Sequence, residues 1–580
     1  MSFAEIPTEL LVLVFAHLSG RDLLKCQAVS RKWRDVIMHA MELQYIIDLV
    51  KYGYKSSVPL QDTLSFTPQI PIQDLHHLEE AWFRICDSPQ ERPRPPRINI
   101  PVSSQEWYGH YDFRLFGHNL FVWNQDSDGV LDILQFEDQK NHVSFRRVDY
   151  DRVRILQVVA YPKLVNESSV YNGNGTIIVH VLWVHWQNDS SASNTEPELQ
   201  VLHEIPLPSP DRPLGYHYWT RVVVKISGEY ILVQWRRERA GLGDSDNAPG
   251  EDPNIAVCLW RSGHVLQLYF SNAEICYMDA VLACNQYLLV LRHSRSETNL
   301  STHGVQSVLY IDVYILPTDK FGNSRSPLLL SIFEFPALRP EIAVNNPRLT
   351  SGKWKSPSLR SSKISITPPH SQITLSPLDT MLHFDIWCGI TEYELHYVNE
   401  RFSLFVPLST FIRNMPLPLT SETPLQPMIH RWSSWGPDGT RLHRTDSLYI
   451  YANGDVSINF VPVYISGFRA ILQNEVGFMD FNPHYVSKFS SGETLRTPGA
   501  TVVKSPTYVD CQTFADPVTS ALPYVWIPLP ADVISARSLD HQASFLPKFF
   551  FQDYDGLKMM RLRANPANPT NVGSLQIHAL

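Results

Sequence analysis

The first forty residues of the chain show apolar positions at helical spacing. Pro7 suits the first turn of a helix, and one face of this predicted helix consists of Leu10, Leu11, Val14, Phe15 and Leu18. Val12 and Leu13 make the other side apolar as well. Because the helix is apolar all round, it needs apolar surface on more than one side.

Two further short helices are predicted after it. Ser19-Gly20 is expected to end the first helix, with Gly20 free to form a left-handed cap, and Asp22 places negative charge near the start of the second. Ser30 is expected to cap the third. The apolar sides consist of Leu23, Leu24, Ala28 and Val29 in the second helix and Trp33, Val36, Ile37 and Ala40 in the third. Three helices this short bury too little surface to cover the first, so an external apolar partner is expected.

The stretch IPTELLVLVFAHLSGRDLLKCQAVSRKWRDVI, Ile6–Ile37, resembles an F-box. The family pattern is L-P-x-E-L-L, I-L-x-x-L, D-L-L and V-C-R-x-W; Ile6 stands where leucine is usual and Ser30 where cysteine is common. The resemblance implies that this module docks on the Skp adaptor of cullin-RING ubiquitin ligases. The implied contacts are Pro7, Leu10, Leu11, Val14, Phe15, Leu18, Leu23, Leu24, Val29 and Trp33. The competing interpretation is a helical hairpin that packs on the rest of the chain.

Residues 51–97 are predicted to connect this F-box, assigned to residues 1–50, to a larger domain. The connection is polar and contains prolines, and one amphipathic helix is predicted at about residues 72–87. Its apolar positions are Leu75, Leu78, Trp82 and Ile85. A leucine-rich segment that ends in E-x-W at this place resembles F-box proteins of fungi.

From residue 98 to residue 580 the pattern changes from helical to alternating. Hairpin turns are predicted at Asp128-Gly129, Ser227-Gly228, Asn453-Gly454 and Asp555-Gly556. We predict an α+β multidomain chain whose large all-β domain is a β-propeller, although a pair of stacked β-sandwiches would give the same local pattern. Two polar stretches, 236–254 and 348–372, are predicted to be mobile loops.

Composition and charge limit the kinds of partner and the cellular compartment that we expect for this chain. Hydrophobic residues make up 44% and charged residues 18%, and the net charge of -9 has no long run of either sign. Neither nucleic acid nor a membrane is therefore expected as a partner. The seven cysteines are scattered without a C-x-x-C pair, as is typical of reduced intracellular thiols. No apolar run reaches the roughly 18 residues of a membrane span and no signal peptide is evident, so we expect a cytoplasmic or nuclear protein.

Catalytic and metal-binding patterns are missing from the sequence. It contains no G-x-S-x-G elbow, no phosphate loop, no G-x-G-x-x-G and no H-E-x-x-H. His180 and His185 lie on opposite faces of one predicted strand, so they cannot share a metal. No cofactor, no metal and no catalytic residue is expected.

The resemblance implies the substrate-recognition subunit of a Skp-cullin-F-box (SCF) ubiquitin ligase. The F-box would hold the adaptor and the β domain a protein target of unknown identity, and the two are expected to have separate cores. Two alternatives stay open, an F-box scaffold outside any ligase and a β-propeller hydrolase with a helical start.

Overall fold

The structure of the 580-residue chain is a computed structural model. The described residues are 6–56, 75, 98–101, 111–116, 119–124, 130–137, 142–149, 158–163, 176–184, 199–207, 218–227, 230–239, 254–259, 264–268, 275–283, 286–296, 306–317, 327–339, 342–343, 373–376, 379–390, 399–415, 426–445, 449–452, 455–458, 463–472, 477–491, 499–511, 513–528, 548–552, 556–565 and 568–579.

The chain opens with four helices, which we call the helical module. They are α1 (Thr8–Phe15), α2 (Gly20–Cys26), α3 (Arg31–His39) and α4 (Met41–Tyr52). The three predicted helices are confirmed, and so is the Ser30 cap, whose hydroxyl accepts from the Trp33 N–H at 3.1 Å. The fourth helix was not predicted, although Leu43, Ile46, Ile47 and Val50 recur at helical spacing.

The predicted role of Gly20 is wrong. α1 ends at Phe15, Ser19 is the N-cap of α2, and Gly20 is the first residue of α2 and has no positive φ. A Cβ added to Gly20 would lie 2.7 Å from the Ile46 carbonyl oxygen and 2.8 Å from Val50 Cγ2. Glycine is therefore needed here because α2 packs closely on α4, and not because the chain turns left-handed.

The rest of the described chain is largely β-sheet. The first half contains three antiparallel sheets of consecutive strands: β3 (Tyr111–Phe116), β4 (Asn119–Asn124), β5 (Val130–Glu137) and β6 (His142–Asp149); β7 (Val158–Lys163), β8 (Thr176–Val184) and β9 (Leu199–Leu207); and β10 (Tyr218–Ser227), β11 (Tyr230–Arg239), β12 (Asn254–Leu259) and β13 (His264–Leu268). Two strands precede these sheets, β1 (Tyr54–Ser56) and β2 (Ile98–Pro101).

The next sheets are joined by more distant strands. One sheet consists of β14 (Ile275–Ala283), β15 (Tyr287–Ser296), β16 (Gln306–Ile315) and β17 (Leu328–Glu334), with β22 (Met428–His430) parallel to β17. Another has the order β18 (Ile342–Ala343), β20 (Met381–Ile390), β21 (Asn399–Pro407) and β23 (Arg441–Thr445). β19 (Ile373–Leu375) pairs with β1.

The last strands form four sheets. β24 (Tyr449–Ala452) pairs with β25 (Asp455–Ile458), and β30 (Thr507–Val509) pairs with β31 (Val518–Ser520). A five-stranded sheet has the order β26 (Val463–Ser466), β27 (Arg469–Leu472), β28 (Gly477–Asp480), β32 (Tyr524–Pro528) and β29 (Thr501–Val503). The fourth sheet has the order β2, β35 (Asn568–Ala579), β34 (Gly556–Asn565) and β33 (Lys548–Gln552).

In the part of the chain that the structure describes, three helices lie among the later strands. They are α5 (Leu408–Arg413), α6 (Trp432–Gly439) and α7 (Pro483–Ser490). α5 and α6 cover an aromatic part of the core, where Phe411 and Trp435 are buried against Phe333. Asn482 caps α7, because its side-chain oxygen accepts from the His484 N–H at 2.9 Å.

The predicted hairpins are confirmed. β4 pairs with β5 across Asp128-Gly129, β24 with β25 across Asn453-Gly454, and β33 with β34 beside Asp555-Gly556. β10 and β11 pair up to Ser227 and Tyr230, so the predicted position of Ser227 in that turn is wrong: Ser227 is the last residue of β10, and two residues separate the strands. A two-residue connection of this kind sets the register of both strands.

Two other predictions fall mostly outside the described residues. Of the helix predicted at 72–87 the structure describes only Leu75, which is helical and fully buried against Tyr45, Leu49 and Tyr54. Of the loops predicted at 236–254 and 348–372, the structure describes residues 236–239 as the end of β11 and Asn254 as the start of β12.

Candidate adaptor-binding surface

One side of α1 belongs to the core of the helical module. Leu11 and Phe15 are each only 3% exposed, and the Phe15 ring meets the Trp33 ring edge-on at 5.3 Å between centroids. Leu23 of α2 is fully buried in the same cluster. The rest of this core consists of Val36, Ile37, Leu43, Ile46 and Ile47. These residues pack α1, α2, α3 and α4 together.

The opposite side of α1 is an exposed apolar face. Leu10, Leu13 and Val14 are 52%, 48% and 59% exposed. They are neighbours on the helix surface, since residues three and four apart lie side by side. We call these three residues the outer face of the module. A cluster of exposed apolar side chains is typical of a protein-binding site.

The predicted adaptor contacts divide into three groups in the structure. Pro7, Leu10, Val14, Leu24 and Val29 are exposed. Leu18 and Trp33 are half-buried. Leu11, Phe15 and Leu23 lie in the core of the module, where they support the outer face from behind.

Polar contacts hold the ends of these helices. The Ser19 hydroxyl accepts from the Asp22 N–H at 3.2 Å and donates to the Asp22 carboxylate at 2.7 Å. This hydrogen bond, with Lys25 beside it, lowers the pKa of Asp22. Lys32 Nζ donates to the Ile6 carbonyl at 2.8 Å and so ties the start of α1 to α3. α1, which carries the outer face, is thus anchored to α3 at its start, and the neighbouring α2 is capped by Ser19.

A second surface of the module contacts the β region, and no sequence pattern pointed to it. We call it the joint. β1 pairs with β19, the Ser376 N–H donates to the Gly53 carbonyl at 2.8 Å, and Arg21 of α2 forms an ion pair with the buried carboxylate of Asp379. Asn482 Nδ2 donates to the Lys51 carbonyl at 2.9 Å.

Aromatic packing completes the joint. Tyr52, the last residue of α4, stacks on Tyr485 at 6.1 Å and meets His484 edge-on at 5.7 Å. Gly53 follows with a φ of 81°, and a Cβ there would lie 3.1 Å from Phe468 Cδ2. A left-handed glycine therefore ends α4 and lets the chain turn into β1 against Phe468.

Among the described residues, no group of three or more metal-ligating side chains comes together. An apolar cavity of about 10 Å³ lies among Val281, Leu289 and Phe384, which is too small for more than a water molecule. Within the same part of the chain, no helix is both long and apolar enough to cross a membrane. The outer face is therefore the feature of the described structure that most resembles a binding site.

Residues 3–43 match the F-box-like family. The chain carries an F-box-like domain. That match spans α1, α2 and α3 and ends in α4, so it covers both the outer face and its supporting core. An F-box domain indicates a Skp-binding adaptor role in complexes of SCF type.

Other comparisons add little. No curated protein matches the chain. Among solved structures, a mutant of the apocarotenoid oxygenase of Synechocystis matches with a TM-score of 0.19 and 9% identity, over 58% of this chain and 74% of that one. A TM-score this low does not establish a shared fold.

Proposed function

We propose that this protein is the substrate-recognition subunit of an SCF-type ubiquitin ligase. The observation that carries the proposal is the outer face of the F-box-like domain, where Leu10, Leu13 and Val14 remain about half exposed while the other side of α1 is buried. A module that leaves such a face in water needs a partner of apolar character. In an F-box domain that partner is the Skp adaptor.

The outer face and its surroundings supply the adaptor contacts. Pro7, Leu24 and Val29 are exposed as well and extend the apolar surface beyond α1. Covering the exposed part of each leucine or valine contributes roughly 1 kcal/mol. Leu11, Phe15 and Leu23 act indirectly, because they fix the position of α1 and α2.

The β region is proposed to hold a protein target and to be a β-propeller. Successive, mainly antiparallel sheets, most of them of three to five strands, support this architecture. So does the pairing of β2 with β35, because the first strand of the β region then lies in one sheet with the last three, as ring closure requires. Aromatic and arginine side chains are spread through this region, so the target surface is not assigned.

The contribution of the protein to ubiquitin transfer is positional. It raises the effective concentration of target lysines near the charged conjugating enzyme and does no bond chemistry of its own. It needs no cofactor, nucleic acid or membrane, and it works in the cytoplasm or the nucleus.

Co-purification of the tagged full-length chain with adaptor and cullin tests this proposal. Val14→Asp buries a carboxylate in the interface and is expected to weaken adaptor binding by roughly 30- to 1000-fold, or about 2–4 kcal/mol. Ile429→Asp is the matched control, since Ile429 on β22 is 60% exposed and Val14 is 59% exposed.

The wild type and Ile429→Asp are expected to retain both adaptor and cullin. Adaptor binding that survives Val14→Asp would contradict the proposed contact surface. Capture of adaptor without cullin would favour a scaffold outside any ligase.

A further inference from the structure

Arg441 is a buried cation with no anion beside it among the residues that the structure describes. It begins β23 and is 4% exposed. Its Nη1 donates to the Ser505 carbonyl at 2.9 Å and its guanidinium lies 5.0 Å from the Tyr524 ring, while its Nε has no hydrogen-bond partner among the described residues. Within the same residues no carboxylate pairs with it. Burial lowers the pKa of Arg441, while the charge interaction and side-chain hydrogen bond with Tyr524 oppose that shift, and no carboxylate contributes to it.

Two other arginines of the β region, the buried Arg469 and the half-buried Arg292, have such a counter-charge. Arg469 Nε lies 3.0 Å from Asp480 Oδ2, and Arg292 Nη2 donates to Asp312 Oδ1 at 2.9 Å. Buried charges in proteins are ordinarily paired, because an unpaired one costs several kcal/mol of solvation. An anion is the partner that Arg441 lacks.

The residue that Arg441 holds is a serine followed by proline. Lys504, Ser505 and Pro506 connect β29 to β30, and all three are exposed. Pro506 fixes its own φ and biases Ser505 towards extended backbone. Ser505 therefore lies at the surface in the connection between the two strands, and Ser-Pro is the dipeptide that proline-directed protein kinases recognise.

We propose that Ser505 is a phosphorylation site and that its phosphate pairs with Arg441. The kinase transfers the terminal phosphoryl group of ATP to the Ser505 Oγ: the Oγ–P bond forms, the bond to the leaving ADP breaks, and the hydroxyl proton passes to the base of the kinase. The phosphate brings about two negative charges and three acceptor oxygens, and a guanidinium binds such a group with two parallel hydrogen bonds. The modification ties the turn between β29 and β30 to β23.

A second Ser-Pro dipeptide serves as an internal control. Ser376 also precedes a proline, but it is 8% exposed and its N–H donates to the Gly53 carbonyl in the joint. The folded chain should therefore be modified at Ser505 and not at Ser376.

The first test treats the full-length chain with ATP, Mg²⁺ and a purified proline-directed kinase and maps the phosphates by peptide mass spectrometry. Ser505 is expected to carry phosphate, and Pro506→Ala is expected to reduce its occupancy at least about tenfold by removing the contact that selects the site. An unmodified Ser505 beside other modified Ser-Pro sites, or equal labelling of Ser505 and Ser376, would overturn the assignment.

The second test asks what holds the phosphate. The wild type and Ser505→Ala are treated with kinase in parallel, so that phosphates at other sites are common to both, and the difference between the untreated proteins is subtracted. The wild type is expected to melt about 2 °C higher. This gain should persist in Lys504→Ala, which removes the exposed neighbouring cation, and disappear in Arg441→Gln.

Three results would overturn the pairing with Arg441. They are a melting temperature that is equal to or below that of Ser505→Ala, a gain that disappears with Lys504→Ala, and a gain that persists in Arg441→Gln. The Lys504→Ala result decides the question even where Arg441→Gln does not fold, because Lys504 is exposed.

Discussion

The outer face and the joint are two surfaces of the same small module, and they differ in kind. The outer face consists of Leu10, Leu13 and Val14, which offer area and shape but no directional contact. The joint consists of a strand pairing, an ion pair, a hydrogen bond from a side-chain amide to a backbone carbonyl, and stacked aromatic rings. The comparison indicates that the joint orients the module on its own chain, while the outer face is left for a separate protein.

α4 connects the two surfaces. Leu43, Ile46 and Ile47 face the core of the module, while Tyr45 and Leu49 pack against Tyr54 and Leu75 on the other side. The helical module and the β region are therefore not fully separate, because α4 contributes side chains both to the core of the module and to the cluster around Tyr54. A chain that starts after the module loses β1, the strand that pairs with β19.

The largest expected effect separates two adjacent leucines. Leu11→Asp places a carboxylate in the core of the module and should cost roughly 4 kcal/mol or more, enough to unfold it. Leu10→Asp changes a half-exposed residue and should alter stability by less than about 0.5 kcal/mol while it weakens adaptor binding. Circular dichroism and adaptor titration of both variants check this; equal loss of helix in both would mean that α1 has no outer face.

Acid should lower the stability of the β region through His443, which lies on β23. Burial, with smaller contributions from Arg441 and His383, lowers the pKa of His443 to about 4 from 6.5. Below pH 6.5 the unfolded chain binds a proton at His443, whereas the folded chain does not until about pH 4. The free energy of unfolding is therefore highest above pH 6.5 and decreases as the pH falls from 6.5 to about 4. The total loss is about 3 kcal/mol.

Urea unfolding between pH 7 and pH 4 measures this loss. His443→Gln should flatten the pH dependence in that window, because the variant has no proton to take up there. An unchanged slope in the variant would show that other groups govern acid sensitivity.

Gly53→Ala should damage the joint and spare the outer face. The left-handed φ of 81° and the 3.1 Å approach to Phe468 predict a cost of about 1–2 kcal/mol. Gly499→Ala is the matched control, since Gly499 has a φ of 83° and a Cβ there would lie 3.0 Å from Pro528 Cγ and not against a residue of the joint. Both should lower the melting temperature, but only Gly53→Ala should raise proteolysis between α4 and the β region. Equal cleavage in both variants would mean that Gly53 has no special role there.

The smallest effect concerns two cations of α2. Arg21 pairs with the buried Asp379, whereas Lys25 pairs with Asp22 in solvent. Arg21→Ala should cost about 0.5–1 kcal/mol, since the Arg21 side chain is itself 42% exposed. Lys25→Ala should leave the melting temperature unchanged. A greater loss from Lys25→Ala would place the important contact of α2 on its solvent side.

The sequence predicted the helices and hairpins because their signals are local. Ser30 caps α3 through the Trp33 N–H, and β24 pairs with β25, the next strand along the chain. The sequence predicted that one side of α1 is exposed but not which side, because a helix that is apolar all round does not show which side its neighbours bury. Leu10 and Leu11 look equivalent in the sequence and differ only once α3 and α4 are in place.

The joint could not be predicted for a different reason. Asp379 and Asn482 are polar residues of ordinary type that lie hundreds of positions from Arg21 and Lys51. Only the path of the chain between them brings these pairs together. The same holds for Arg441 and Ser505, which no local pattern connects.

Hydroxyl-radical footprinting of the full-length chain, alone and with the Skp adaptor, compares both surfaces in one measurement. Leu10, Leu13 and Val14 should be oxidised readily in the free chain and become protected when the adaptor binds. Tyr54 and Phe468, which are 3% and 8% exposed in the joint, should be protected in both states. Oxidation of the outer face that the adaptor leaves unchanged, or free reaction of Tyr54 and Phe468 in the chain alone, would contradict the assignment of one surface to a partner and the other to the β region.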